Sequence, residues 1–77
     1  MPVVYALIST EPGTIEDVLV SLKKIREVEE AYGVYGVYDI VVKIKAESMG
    51  ILKKIVTKRL RKLNRIMAIN TLIVIGR

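Results

Sequence analysis

Asp39 ends the stretch Val34-Tyr35-Gly36-Val37-Tyr38-Asp39, in which a glycine stands three residues before a carboxylate. Glycine lets backbone amides approach a bound group closely. Free amides from Gly36, Val37 and Tyr38 beside the single charge of Asp39 can hold a small molecule that carries both a positive and a negative group. The plainer reading of the same residues is a hairpin turn: Gly36 supplies a positive φ, and Asp39 bonds within its own loop or pairs with Lys43 or Lys45. The residues alone leave both readings open.

Catalysis has little else to work with. The chain has no Cys and no His, so soft-ligand metal sites and disulfides are excluded. Ser9 and Ser48 occupy turn and cap positions, and neither a nucleophile elbow nor a phosphate-binding loop is present. Glu29 and Glu30 could share acid and base roles, but adjacent charges on a strand read first as a solvated edge. Tyr5, Tyr32, Tyr35 and Tyr38 lack the spacing by which sheet aromatics stack RNA bases. The expectation is a protein that is not an enzyme and has no cofactor.

The charges are divided along the chain. Met1 to Glu47 carries five basic and eight acidic residues, whereas Ser48 to Arg77 carries eight basic residues and no acid. Lys53, Lys54, Lys58, Arg59, Arg61, Lys62 and Arg65 fall within thirteen residues. At helical pitch Lys54, Lys58, Arg61 and Arg65 share a stripe. That stripe could grip phosphates, or it is a solvated helix face, or it meets the acidic part of a neighbouring subunit.

The elements that must position these groups follow from periodicity. Val3 to Ile8 is an apolar, β-branched run closed by Ser9-Thr10-Glu11-Pro12-Gly13, hence a strand and a turn. Thr14 to Asp17 matches the opening of a capping box. Ile15, Val18, Leu19, Leu22 and Ile25 then recur at helical spacing, with the helix running to about Arg26. Val28 to Tyr35 reads as a second strand, Gly36-Val37 as a turn, and Asp39 to Ala46 as a third strand. On the third strand Ile40, Val42, Ile44 and Ala46 share one face, and Asp39, Val41, Lys43 and Lys45 the other. Ser48 caps a second helix striped by Ile51, Leu52, Ile55, Val56, Leu60 and Leu63; Asn64-Arg65 ends it, and Met67 to Ile75 is the last strand.

The order βαββαβ predicts one ferredoxin-like α+β domain over residues 1–77, a four-stranded antiparallel sheet with two helices on one face. The other sheet face poses a problem, because the first and last strands are apolar on both sides, whereas a wet face should alternate. Seventy-seven residues bury a small core, and 52% hydrophobic residues exceed the usual share. With disulfides and metals excluded, a second copy on the open face is the expected staple, giving a dimeric α/β sandwich. The longest apolar run, Val3 to Ile8, is far short of a membrane span, and the chain does not open like a signal peptide, so a cytoplasmic location is expected. Many Lys, Ile and Val without Cys, His, Trp or Gln fit a thermophilic source.

Taken together, four segments resemble the effector domain of the Lrp/AsnC family, the feast/famine transcriptional regulators. They are the turn Glu11-Pro12-Gly13, the hairpin Val34-x-Gly36-x-Tyr38-Asp39, Ala46-Glu47-Ser48 before the second helix, and Asn70-Thr71-Leu72-Ile73-Val74 at the end. The resemblance runs from Val3 to Ile75. It implies a domain that dimerises through its sheets, assembles dimers into a ring and holds a free amino acid between dimers. Asp39 would pair the ammonium group, Gly36, Val37 and Tyr38 would meet the carboxylate, and Thr71 would add a hydroxyl. Family members that bind amino acids often carry hydroxyls at two alternating positions of the last strand; here they are Ile69 and Thr71.

Family regulators carry a helix-turn-helix domain ahead of this one, and this chain begins at the first strand, which reads as a stand-alone form. The resemblance then implies co-assembly with full-length regulators and no specific DNA binding alone. The alternatives are a nucleic-acid-binding module using the basic second helix, or a small dimeric ferredoxin-like enzyme such as an isomerase or oxygenase.

Overall fold

The computed structural model of the protein describes residues 1–76. Strand β1 spans Val3–Thr10, helix α1 Ile15–Lys23, β2 Val28–Gly33, β3 Ile40–Lys45, α2 Met49–Lys54 and β4 Ile66–Ile73; a π-helical segment, Ile55–Leu60, prolongs α2. The sheet order is β2-β3-β1-β4 with every pair antiparallel, so the first strand of the chain lies at the centre. This is the ferredoxin-like α+β fold that the element order predicts.

The core forms where two periodicities meet. Val4, Ala6 and Ile8 of β1 and Ile40, Val42 and Ile44 of β3 point to one side of the sheet and are essentially inaccessible. They pack against Val18 and Leu22 of α1 and Leu52, Ile55 and Leu60 of α2 and its extension. The opposite face carries Tyr5 between Lys43 and Leu72, and Leu7 between Val41 and Asn70. Tyr32 and Leu72 stay more than half exposed there.

Both helix starts carry a hydroxyl, and only one acts as a cap. Ser48 Oγ accepts the Ile51 amide at 3.2 Å, as expected. Thr14 makes no cap bond, contrary to the capping-box expectation. Gly13 at φ +78° turns the chain so that the Thr14 hydroxyl donates back to the Glu11 carbonyl at 2.7 Å, closing the loop instead. Helix α1 also ends before Arg26, because the amides of Lys24 and Ile25 tighten onto carbonyls three residues back.

Three further expectations are corrected. The second strand stops at Gly33, leaving Val34–Asp39 as a six-residue loop with Tyr35 fully exposed. The last strand begins at Ile66 and ends at Ile73, with Ile75 outside it in solvent. The register slips where Ser9 faces Ala68 but Thr10 faces Ile66, so Met67 is an extra residue that breaks the expected alternation. A similar slip around Glu29 on the edge strand β2 brings Glu29 and Glu30 to 3.6 and 3.8 Å from the Lys43 ammonium. Bulges and charges of this kind blunt an edge against further pairing.

Candidate functional site

The loop Val34–Asp39 is fixed at both feet. The Val34 amide donates to the Asp39 carbonyl at 2.8 Å, and the Asp39 amide donates to the Ile8 carbonyl at 2.9 Å. Asp39 therefore stands at the end of β1, and its carboxylate turns onto that strand. Oδ2 accepts the amide of the buried Thr10 at 2.9 Å and lies 3.4 Å from its hydroxyl. Oδ1 receives no hydrogen bond from the described residues. Asp39 thus pairs with neither Lys43 nor Lys45, since Lys43 is engaged by the glutamates of β2. A carboxylate held by one oxygen has its second oxygen fixed in aim.

Beyond the feet, the loop offers donors. Gly36 sits at φ +146°, and a Cβ there would meet nothing within 4 Å, so the glycine is required by the backbone rather than by space. The amides of Gly36, Val37 and Tyr38 have no partner among the described residues. Tyr38 folds across the sheet, where its hydroxyl accepts a bond from Asn70 Nδ2 at 3.1 Å. The loop is pinned to β1 by Thr10 and to β4 by Asn70, while its tip, with Tyr35 and Val37, stands in solvent. Sequence reasoning gave Thr10 and Asn70 no role at the site; contacts across 29 and 32 residues leave no local signature.

Thr71 lies elsewhere. It faces Ala6 across the β1–β4 ladder and therefore points to the helix side. There it lines an open cleft of about 320 Å³ with Val4, Leu52, Val56 and Ile73, and with the cations Lys53 and Arg61. The cleft is apolar at its floor, and no acid lines it. Asp39 is level with Ser9, three residues along the sheet from Ala6 and two strands across, so about 14 Å separates its Cα from that of Thr71. One chain brings Gly36, Val37, Tyr38 and Asp39 together and leaves Thr71 apart. A ligand touching both would lie between two copies.

Among the described residues, no three His, Cys, Asp or Glu side chains gather as metal ligands. No helix is long and apolar enough to cross a membrane.

Residues 3–77 match the family model described as the Lrp/AsnC ligand-binding domain. A solved structure called FFRP-DM1 shares 35% identity, with 97% of this chain and 100% of that one covered and a TM-score of 0.93. The hypothetical protein PHS023 from Pyrococcus horikoshii shares 34% over 100% of this chain and 93% of its own, also at 0.93. AsnC from E. coli shares 25% over 99% of this chain but only 52% of its own, at 0.91. More distant, and a likeness of fold alone, is a transcriptional regulator from Neisseria meningitidis solved with L-Met: 17% identity, 97% and 50% covered, TM-score 0.87. No match was found among curated protein sequences.

Proposed function

The chain belongs to the Lrp/AsnC ligand-binding-domain family, and we propose that it senses a free amino acid between copies of itself and passes that state to transcription. The observation that carries this reading is the loop Gly36–Asp39: one carboxylate held by a single oxygen stands beside three amides without partners. The Asp39 charge takes the ammonium group of the effector. The amides of Gly36, Val37 and Tyr38 take its carboxylate. Thr71 of a second copy adds its hydroxyl, and the apolar cleft beside Thr71 receives the side chain. That a regulator of the same fold was solved with L-Met supports this class of ligand.

The protein works as a homodimer joined through its open sheet faces, with dimers arranged in a ring that closes the site. It acts in the cytoplasm, without catalysis, by co-assembling with longer regulators of the family. A thermal-shift screen against the twenty amino acids tests the reading, because a ligand that binds only the folded state raises its apparent stability. A shift with at least one of them is expected. In Asp39→Asn the shift should vanish, with a binding loss of about 2–5 kcal/mol for a buried charge pair. The amide oxygen of that variant still accepts the Thr10 amide, so the loop keeps its anchor. An unchanged shift in Asp39→Asn would remove the carboxylate from the site.

A further inference from the structure

The charged side chains of α2 and its π-helical extension have no ion-pair partner among the described residues. Lys53, Lys54, Lys58 and Arg59, with Arg61 and Lys62 in the turn that follows, are all exposed, and none forms an ion pair among the described residues. Elsewhere ion pairs do form, although Lys23, Lys24 and Lys45 also lack one among the described residues. Arg65, which the sequence placed on the same stripe, has left the helix at φ +74° and pairs with Asp17 at 3.5 Å. Lys43 and Arg26 pair with the glutamates of β2 and Glu27.

A second copy of the chain is a poor complement for this face. Of its eight acids, Asp17, Glu27, Glu29 and Glu30 are ion-paired, and the proposed function assigns Asp39 to the effector's ammonium group. Glu11, Glu16 and Glu47 remain, two beside the start of α1 and one before α2. Three scattered carboxylates cannot neutralise six clustered cations. A partner that neutralises this face therefore comes from outside and carries a high density of negative charge.

We propose that this face binds the phosphate backbone of duplex DNA, without reading its sequence. A single-strand site would stack bases on aromatic side chains, yet all four tyrosines lie on β1, β2 and the loop, away from α2. A helix about 10–12 Å across fits the B-form major groove, about 12 Å wide, so its flanking cations reach phosphates on both sides. The deep, narrow major groove of A-form RNA does not admit it. The burial of Leu52, Ile55 and Leu60 fixes the opposite side of the element against the sheet, and that holds the cations outward. The face shares none of Gly36 to Asp39, and although Lys53 and Arg61 also line the cleft beside Thr71, Lys54 and Lys58 do not.

Fluorescence anisotropy with two unrelated labelled duplexes of equal length tests the proposal. Equal affinities are expected, falling about 10²- to 10³-fold between 50 and 200 mM salt as four to six phosphates are neutralised, each adding about −0.9 to the logarithmic slope. Lys54→Glu with Lys58→Glu should weaken binding at least tenfold at low salt, lower the slope by about two and leave the light-scattering mass unchanged. The pair Lys23→Glu and Lys24→Glu, an equal charge change on α1, should retain most of the affinity. No binding at 50 mM salt would overturn the proposal, as would an equal loss in the α1 pair or selectivity between the duplexes. A changed mass in the α2 pair would instead make this face a contact between copies.

Discussion

At the scale of single residues, two side chains bear charge-dependent predictions. The Asp39 carboxylate has one oxygen committed to the Thr10 amide, so its exchange for Asn separates the anchor from the charge. Tyr32 is the other. Its hydroxyl bonds the Glu30 carboxylate, and that bond together with the glutamate charge raises its pKa above the ordinary phenol value. The neutral phenol is thus favoured in the folded state. Its contribution is fully present below the unfolded value near 10 and is lost as pH climbs from there through the folded value. Because Tyr32 is 55% exposed, the effect on stability is small, and the useful readout is ultraviolet absorbance during an alkaline titration. Glu30→Gln should move the most alkaline component back toward the ordinary range. An identical titration curve in that variant would disprove the assignment. The Asp39 loop was legible in the sequence as a glycine beside an acid. Its anchors Thr10 and Asn70 were not, since nothing local to either residue marks a partner some thirty positions away.

Elements were more legible than their ends. Alternation along Ile40, Val42 and Ile44 announces a half-buried strand, and the fold buries all three. The spacing of Val18 and Leu22 does the same for α1. Ends depend on turns, whose geometry one backbone angle can reverse. Thr14 and Ser48 are alike in the sequence, yet Gly13 diverts one hydroxyl into its loop while the other caps. Ser48→Ala should therefore lower the unfolding free energy by about 1 kcal/mol, measured by urea titration; a loss within experimental error would show the 3.2 Å bond to be idle. The π-helical segment was hidden because Ile55, Val56 and Leu60 satisfy an α-helical stripe equally well. The segment ends at Leu60, so Arg65 lies beyond the helix at φ +74° and off the expected basic stripe.

For the whole molecule, surface area is the telling quantity. A compact monomer of 8.7 kDa should expose about 4,700 Å². This chain exposes 5330 Å². The excess fits a subunit, and Tyr5, Leu7, Val41 and Leu72 on the open sheet face are where a partner would take it up. Light scattering at low micromolar concentration should give an even multiple of the chain mass. Leu7→Glu, which sets a charge in the middle of that face, should reduce it to 8.7 kDa. A monomeric parent would refute the assembly. The sheet order also carries a consequence for how the chain is made. Strand β1 leaves the ribosome first, yet its partners β3 and β4 begin at Ile40 and Ile66. Until those are synthesised, the strand with the most buried residues has both edges open. Pairings such as Val4 with Ile73 close nearly the full length of the chain, so they form late and slowly. A transcript cut short before β4 would yield a product with the central strand unguarded on one side, the kind of species that aggregates before it can be repaired.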